Sequence, residues 1–211
     1  MNIIIHPTYL PNVAHFVAMT NSEEVTFEMD DNYQKQTYRN RAYIYGANGK
    51  LQLSIPIIHS QKERQKYRDI KIYNSENWQS VHWKSLETAY RTSPFFEYYE
   101  DEILPLFTEK FDFLLDFNLK CLDVIFDCLQ IELNTSKSQV YEKEVVDKTD
   151  FRFLANARKE NPFNFDSYTQ VFNNKHGFIS NLSILDLLFN EGPNTINYLE
   201  SQSIDMSCYN Q

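Results

Sequence analysis

The chain has 211 residues, 42% of them hydrophobic and 15% aromatic, which supplies a packed core and excludes a disordered chain. It has only four glycines and lacks both G-x-G-x-x-G and G-x-x-x-x-G-K-[ST], so the usual glycine-rich phosphate loops are excluded. A net charge of −9 argues against general nucleic-acid binding.

No apolar run reaches bilayer length, and the N-terminus lacks the basic and long apolar regions of a signal peptide; a cytoplasmic protein without membrane insertion is expected. Cys121, Cys128 and Cys208 lack metal-ligand spacing, and Cys121 and Cys128 read as reduced core residues.

In chain order, residues 2–6 read as a short buried strand that stops at His6, Pro7, Tyr9 and Pro11. Asn12 is placed to cap a helix over 13–20, and residues 24–29 alternate as a second strand. Strand, turn, helix and strand make a βαβ unit with a parallel pair. Residues 41–46 and 51–57 flank G-A-N-G-K as a hairpin, with Leu51, Leu53 and Ile55 on one face. Ile70 and Ile72 suggest one more strand after a polar loop at 60–69. Helices are then predicted over 76–91, from Ser93-Pro94, over 109–130 with Thr108 as cap, and over 181–190 before Gly192-Pro193. Residues 131–140 read as a return to strand, and 141–176 are polar and ambiguous. The expected fold is α/β: an N-terminal βαβ unit with a small, mostly parallel sheet, then a helix-rich C-terminal half. One domain is expected over 1–211, with a strand-rich ligand-site half at 1–75, a helical half at 76–200 and a polar tail at 201–211.

Charge is unevenly spread. Residues 1–34 hold five acids and no Lys or Arg, residues 35–71 hold nine Lys/Arg against two acids, and residues 97–160 hold eight against fifteen. The basic segment is either a solvated face paired with acidic neighbours or a pocket for an anion such as a phosphate, sugar nucleotide or carboxylate. His6, ending a buried strand, is the candidate general base; the alternative is a ring that bonds backbone and fixes the turn. Tyr9 either donates to a ligand or packs. Asn32, Gln34, Lys35, Arg39, Asn40 and Arg41 form a dense set of donors, with Arg68 beside them. If 36–41 is extended, Gln36, Tyr38 and Asn40 share one face and Thr37, Arg39 and Arg41 the other, so both faces cannot serve one small pocket. His82 and Tyr90 lie in an aromatic stripe that is either core or the lining of an opening. Ser183 and Asp186 read as a local capping pair. The five histidines show no metal spacing, and no cofactor is indicated.

H-P-T-Y-L-P, N-Y-Q-K-Q-T-Y-R-N-R, L-Q-L-S-I-P-I, A-Y-R-T-S-P-F-F-E-Y-Y and N-L-S-I-L-D-L-L-F-N-E-G-P, in this order, resemble the WbqC-like family over about residues 2–195. By motif, His6, Pro7, Tyr9, Leu10 and Pro11 match its opening signature, and Lys35, Asn40 and Arg41 its basic-amide segment. Tyr90, Pro94 and Phe95 match its central helix, and Ser183, Asp186, Asn190 and Gly192 its last one. The family's familiar opening has a glutamine between histidine and proline; here His6 abuts Pro7. The resemblance implies a bacterial protein of surface-polysaccharide (O-antigen) biosynthesis. It further implies acyl or aminoacyl (glycine-type) transfer to a nucleotide-linked amino sugar, with a sugar nucleotide or acyl donor as partner. The residues alone equally admit a non-catalytic protein that holds an anionic carbohydrate precursor or partner.

Overall fold

Residues 2–27 form the expected βαβ unit in the computed structural model, which describes residues 1–58, 64–158 and 163–205. Strand β1 (Asn2–Ile5) and strand β2 (Glu24–Phe27) run parallel, paired from Asn2–Glu24 to Ile5–Phe27. Between them lies helix α1 (Val13–Thr20), capped by the Asn12 side chain, which accepts from the His15 amide. Residues Val13–Met19 are all buried, so α1 is enclosed on every side and has no solvated stripe. Tight hairpin strands β3 (Arg41–Gly46) and β4 (Gly49–Ser54) follow, joined by two residues. The second strand starts earlier and ends earlier than its pattern predicts. Leu53 and Ile55 are buried, whereas Leu51 is on the surface. Short strands β5 (Ile57–Ile58) and β6 (Lys71–Ile72) pair antiparallel.

Helices α2 (Trp78–Tyr90), α3 (Phe96–Ile103), α4 (Pro105–Thr108) and α5 (Leu114–Leu129) build the next layer. The expected single helix over 109–130 begins five residues late, and Thr108 ends α4 instead of capping α5. The reason is a competing strand contact: Ile72 donates its amide to the Asp112 carbonyl, and the Leu114 amide donates to the Ile70 carbonyl. Residues 112–113 therefore satisfy their backbone beside β6. Leu114, Leu115, Phe117, Cys121, Leu122 and Ile125 point α5 into the core, at roughly 1.5–3 kcal/mol for each large side chain buried.

The remaining elements are β7 (Thr135–Lys137), β8 (Thr149–Asp150), α6 (Asn173–His176), α7 (Ile184–Glu191) and α8 (Thr195–Ser201). β7 and β8 complete a four-stranded sheet in the order β7-β2-β1-β8, parallel throughout. The expected parallel sheet is present, but two of its strands come from the second half of the chain. β8 lies inside the stretch whose polarity hid it. Ile3, Ile5, Val25 and Phe27 face the core with α1, which α7 and α8 cover from behind. Ile4 and Thr26 point to the other face, beneath the crossover at 138–148 that carries the chain from one sheet edge to the other. One continuous apolar cluster draws on both halves of the chain. Among the described residues no helix is long and apolar enough to cross a membrane.

Candidate functional site

The carboxyl ends of parallel strands are where open α/β sheets place their ligand sites. Here three such ends converge. His6 follows β1, Asp31 lies four residues beyond β2, and Asp150 ends β8 with Arg152 two residues on. Together with Arg39, Gln34, Thr37 and Lys143 they line a pocket of about 260 Å³.

The sequence builds this corner from several directions. Pro7 stops β1, and its carbonyl accepts from the Tyr67 hydroxyl at 2.9 Å. The Tyr67 ring also lies 5.2 Å beneath the Arg39 guanidinium. From α5, Asn118 donates to the Arg39 carbonyl at 2.6 Å and to the Tyr67 hydroxyl. The Tyr9 amide bonds the Tyr38 carbonyl, so the turn after β1 and the segment before β3 are held to each other.

Three side chains meet in a triangle. Arg39 Nη2 is 2.6 Å from Asp31 Oδ2 and 2.6 Å from His6 Nε2, and His6 Nε2 is 2.9 Å from Asp31 Oδ2. All three residues are buried. Guanidinium only donates and a carbonyl only accepts. His6 Nδ1, 3.3 Å from the Arg152 carbonyl, therefore holds the ring proton, and Nε2 accepts from Arg39. Burial, with Arg39 beside it, lowers the His6 pKa to about 4, although Asp31 pulls the other way. The imidazole is uncharged at neutral pH. Asp31 is held down to about 2: burial opposes its charge, but Arg39 and the Asn32 amide, which both donate to it, outweigh it. A proton arriving at Nε2 would exchange the Arg39 contact for a donor bond to Asp31.

Arg152 completes the wall. It donates through Nε and Nη2 to the two oxygens of Asp150, at 2.9 and 2.6 Å, and through Nη1 to the Glu142 carbonyl. Buried Glu28 lies 3.6 Å from it. The pocket thus contains matched pairs, Asp31 with Arg39 and Asp150 with Arg152, around one neutral imidazole.

Of the residues singled out in the sequence, His6, Gln34 and Arg39 come together here, and the Asn32 carbonyl touches Arg39 Nη1 at 3.5 Å. Lys35, Asn40 and Arg41 line a second pocket with Tyr33, Gln36 and Ile57. Arg68 is on the surface, paired with Asp30 at 3.1 Å. Tyr9 and His82 are sealed in the core, where the hydroxyl donates to Nδ1 at 2.8 Å; burial lowers the His82 pKa to about 4. Tyr90 is core as well. It accepts from the Tyr45 amide and donates to Asp186, which also accepts from Tyr168 and Gln170. Ser183 caps α7, but Asp186 is an internal acceptor of three bonds and not its capping partner. Cys121 and Cys128 are buried and free, and burial pushes Cys128 up to about 12. Cys208 and His59 lie outside the described residues. Among those described, no cluster of three or more His, Cys, Asp or Glu is arranged to hold a metal.

Asp31, Asp150 and Arg152 are the site residues that the sequence reading misses. Asp31 follows β2 as His6 follows β1, so the parallel pairing was its available signal. The other two depended on recognising β8.

A family model described as the WbqC-like protein family matches residues 6–161 and 142–198. The chain is 26% identical over 222 aligned positions to the uncharacterised protein Rv1507c of Mycobacterium tuberculosis (strain ATCC 25618 / H37Rv), covering 93% of this chain and 96% of that one. No solved structure matches. With a family model spanning most of its length, from the His6 turn to the last helices, the chain belongs to the WbqC-like protein family.

Proposed function

We propose that this protein is a transferase that moves an acyl or aminoacyl group onto an amino sugar of a surface-polysaccharide precursor, with the reaction at the His6 pocket. The observation that carries this reading is the uncharged His6 imidazole at the carboxyl edge of the parallel sheet, its Nε2 lone pair beside a carboxylate and a guanidinium. In the reaction, the acceptor nitrogen attacks the acyl carbon, the new C–N bond forms, and the bond to the donor's leaving group breaks. His6 Nε2 takes the proton from that nitrogen and returns it to the leaving group. Asp31 balances the imidazolium formed in between, and Arg39, released from Nε2, faces the developing oxyanion.

The test is His6→Gln, with product detected by mass spectrometry from amino-sugar nucleotides paired with acyl or glycyl thioesters. Loss of about 10²–10⁴ in turnover is expected for a missing base. Turnover that survives the substitution refutes the role. A base titrating near 4 also contributes no inflection near 6.5 to the pH–rate profile, which is left to the acceptor amine.

One observation favours a second reading, a non-catalytic protein that holds a carbohydrate precursor. Every charged pair around His6 is already matched, as in a structural ion-pair network. Saturable binding of an amino-sugar nucleotide, without product from any donor, would select it.

A further inference from the structure

We propose that the pocket lined by Tyr33, Lys35, Gln36, Asn40 and Arg41 is a separate binding site for a phosphate-class anion, the diphosphate of a nucleotide-type ligand. Most cations around this segment are already committed. Lys66 and Arg68 both pair with Asp30, Arg39 with Asp31, Arg91 with Glu87 and Glu100, and Arg152 with Asp150. Among the described residues Lys35 and Arg41 have no such carboxylate, and the two line one pocket of about 350 Å³ whose described lining includes no acid. In a chain of net charge −9, two unmatched cations in one concavity focus positive potential where the rest of the surface repels anions.

The remaining lining suits an oxyanion. The Arg41 Nε is buried without a hydrogen bond, leaving the terminal amino groups of the guanidinium as its accessible donors. Gln36, exposed and held at φ 59°, turns the chain so that Lys35 and Arg41 converge across it. Burial raises the Tyr33 pKa to about 12, so that phenol stays protonated. Asn40 uses its amide nitrogen on the Ile55 carbonyl at 3.0 Å, which fixes the rim next to β3. Lys supplies a point charge and Arg a planar fork, the combination that grips a phosphate carrying more than one charge.

The site is adjacent to the His6 pocket without being part of it. Gln34 and Arg39 line one pocket, and their chain neighbours Lys35 and Asn40 line the other. The segment from 33 to 41 is the wall between them. Recognition of the charged end of a ligand is thereby separated from the corner of ion pairs that holds His6. The role in turnover rests on the transferase reading above; the binding itself does not.

The probe is inorganic pyrophosphate, titrated calorimetrically into the full chain, with acetate as the comparison anion. Saturable pyrophosphate binding is expected. It should weaken about tenfold in Lys35→Ala and in Arg41→Gln, weaken less in Arg41→Lys, which keeps the charge but not the fork, and be unchanged in Lys66→Ala and His6→Gln. No saturable binding, equal binding of acetate, indifference to both Lys35→Ala and Arg41→Gln, or equal loss in His6→Gln overturns the proposal. Lys35 is exposed, so its variant decides the matter if Arg41→Gln fails to fold. Loss of turnover in His6→Gln alongside a pyrophosphate null would refute this site and leave the transferase reading standing; the reverse pattern would do the opposite.

Discussion

Acid should destabilise this protein well above the pH at which its carboxylates protonate, because three histidines are buried uncharged. Burial lowers His6 to about 4, His15 to about 3 and His82 to about 4, from an ordinary 6.5. The unfolded chain takes up a proton at each ring near 6.5, whereas the folded chain does not until about 4 or below. Between those limits the unfolded state binds more protons, so stability falls as pH falls. At about pH 5 each ring contributes a loss of about 2 kcal/mol, which totals roughly 6 kcal/mol, as large as the whole stability of many domains. Burial raises the pKa of Asp186, so the folded state holds that proton more tightly and gains stability on acidification. That is one group against three. Asp31 is depressed to about 2, so its loss begins only below 3.8 and lies outside this window.

Urea unfolding at intervals from about pH 7.5 down to 5 measures the effect, and the slope near pH 5 should approach about 4 kcal/mol per pH unit, or three protons. His82→Gln removes one ring and should reduce that slope by about a third, whatever it does to stability at neutral pH. A stability that changes by less than about 2 kcal/mol over the range would mean that the rings titrate as in the unfolded chain, which refutes the reasoning.

Substitutions at Gly192, Asp186 and Asn12 test the packing around the site and its scaffold. Gly192 ends α7 at φ +52°, and an added Cβ would meet the Phe95 ring at 2.6 Å. Gly192→Ala should cost about 3 kcal/mol or more in denaturant melts, with partial recovery when Phe95 is shortened to Leu. Asp186→Ala leaves Tyr90, Tyr168 and Gln170 without their buried acceptor and should cost about 3 kcal/mol, against about 1 for Tyr168→Phe. Asn12→Ala removes the side-chain oxygen that bonds His15 Nδ1 at 2.7 Å and shares the His15 amide, at 3.1 Å, with the residue-12 carbonyl, and should lower stability by about 1 kcal/mol.

The first twenty-seven residues were legible because their signals are local. A β-branched run stopped by Pro7, an Asn cap and an alternating E-V-T-F dictate strand, helix and strand without outside help. The late start of α5 was not legible in the same way. Residues 109–113 satisfy helical periodicity, and only the nearness of β6, forty residues earlier, gives 112–113 a better backbone partner. β8 is the extreme case. Two residues, Thr149 and Asp150, become a strand because β1 is there to receive them, and no window of sequence records that.

The charge pattern shows why the candidate site was only half visible. The excess of nine Lys/Arg over two acids in 35–71 looks like one basic surface, yet the preceding segment, which has no cation, supplies its counterions. Asp30 takes Lys66 and Arg68, and Asp31 takes Arg39. Among the described residues Lys35 and Arg41 are left without a carboxylate, and they line a different pocket from His6. Strict alternation would have placed Arg41 with Arg39 and apart from Asn40. Residues 38–40 form a turn and bend, so no extended run carries the alternation through them, and Arg41 joins Asn40 on the far side of the wall. A linear count cannot distinguish a matched cation from a free one, because the match depends on where β2 delivers its acids. That delivery, at the carboxyl end of a parallel strand, is what turns a basic stretch into a corner of ion pairs with a buried imidazole and a separate cationic cleft beside it.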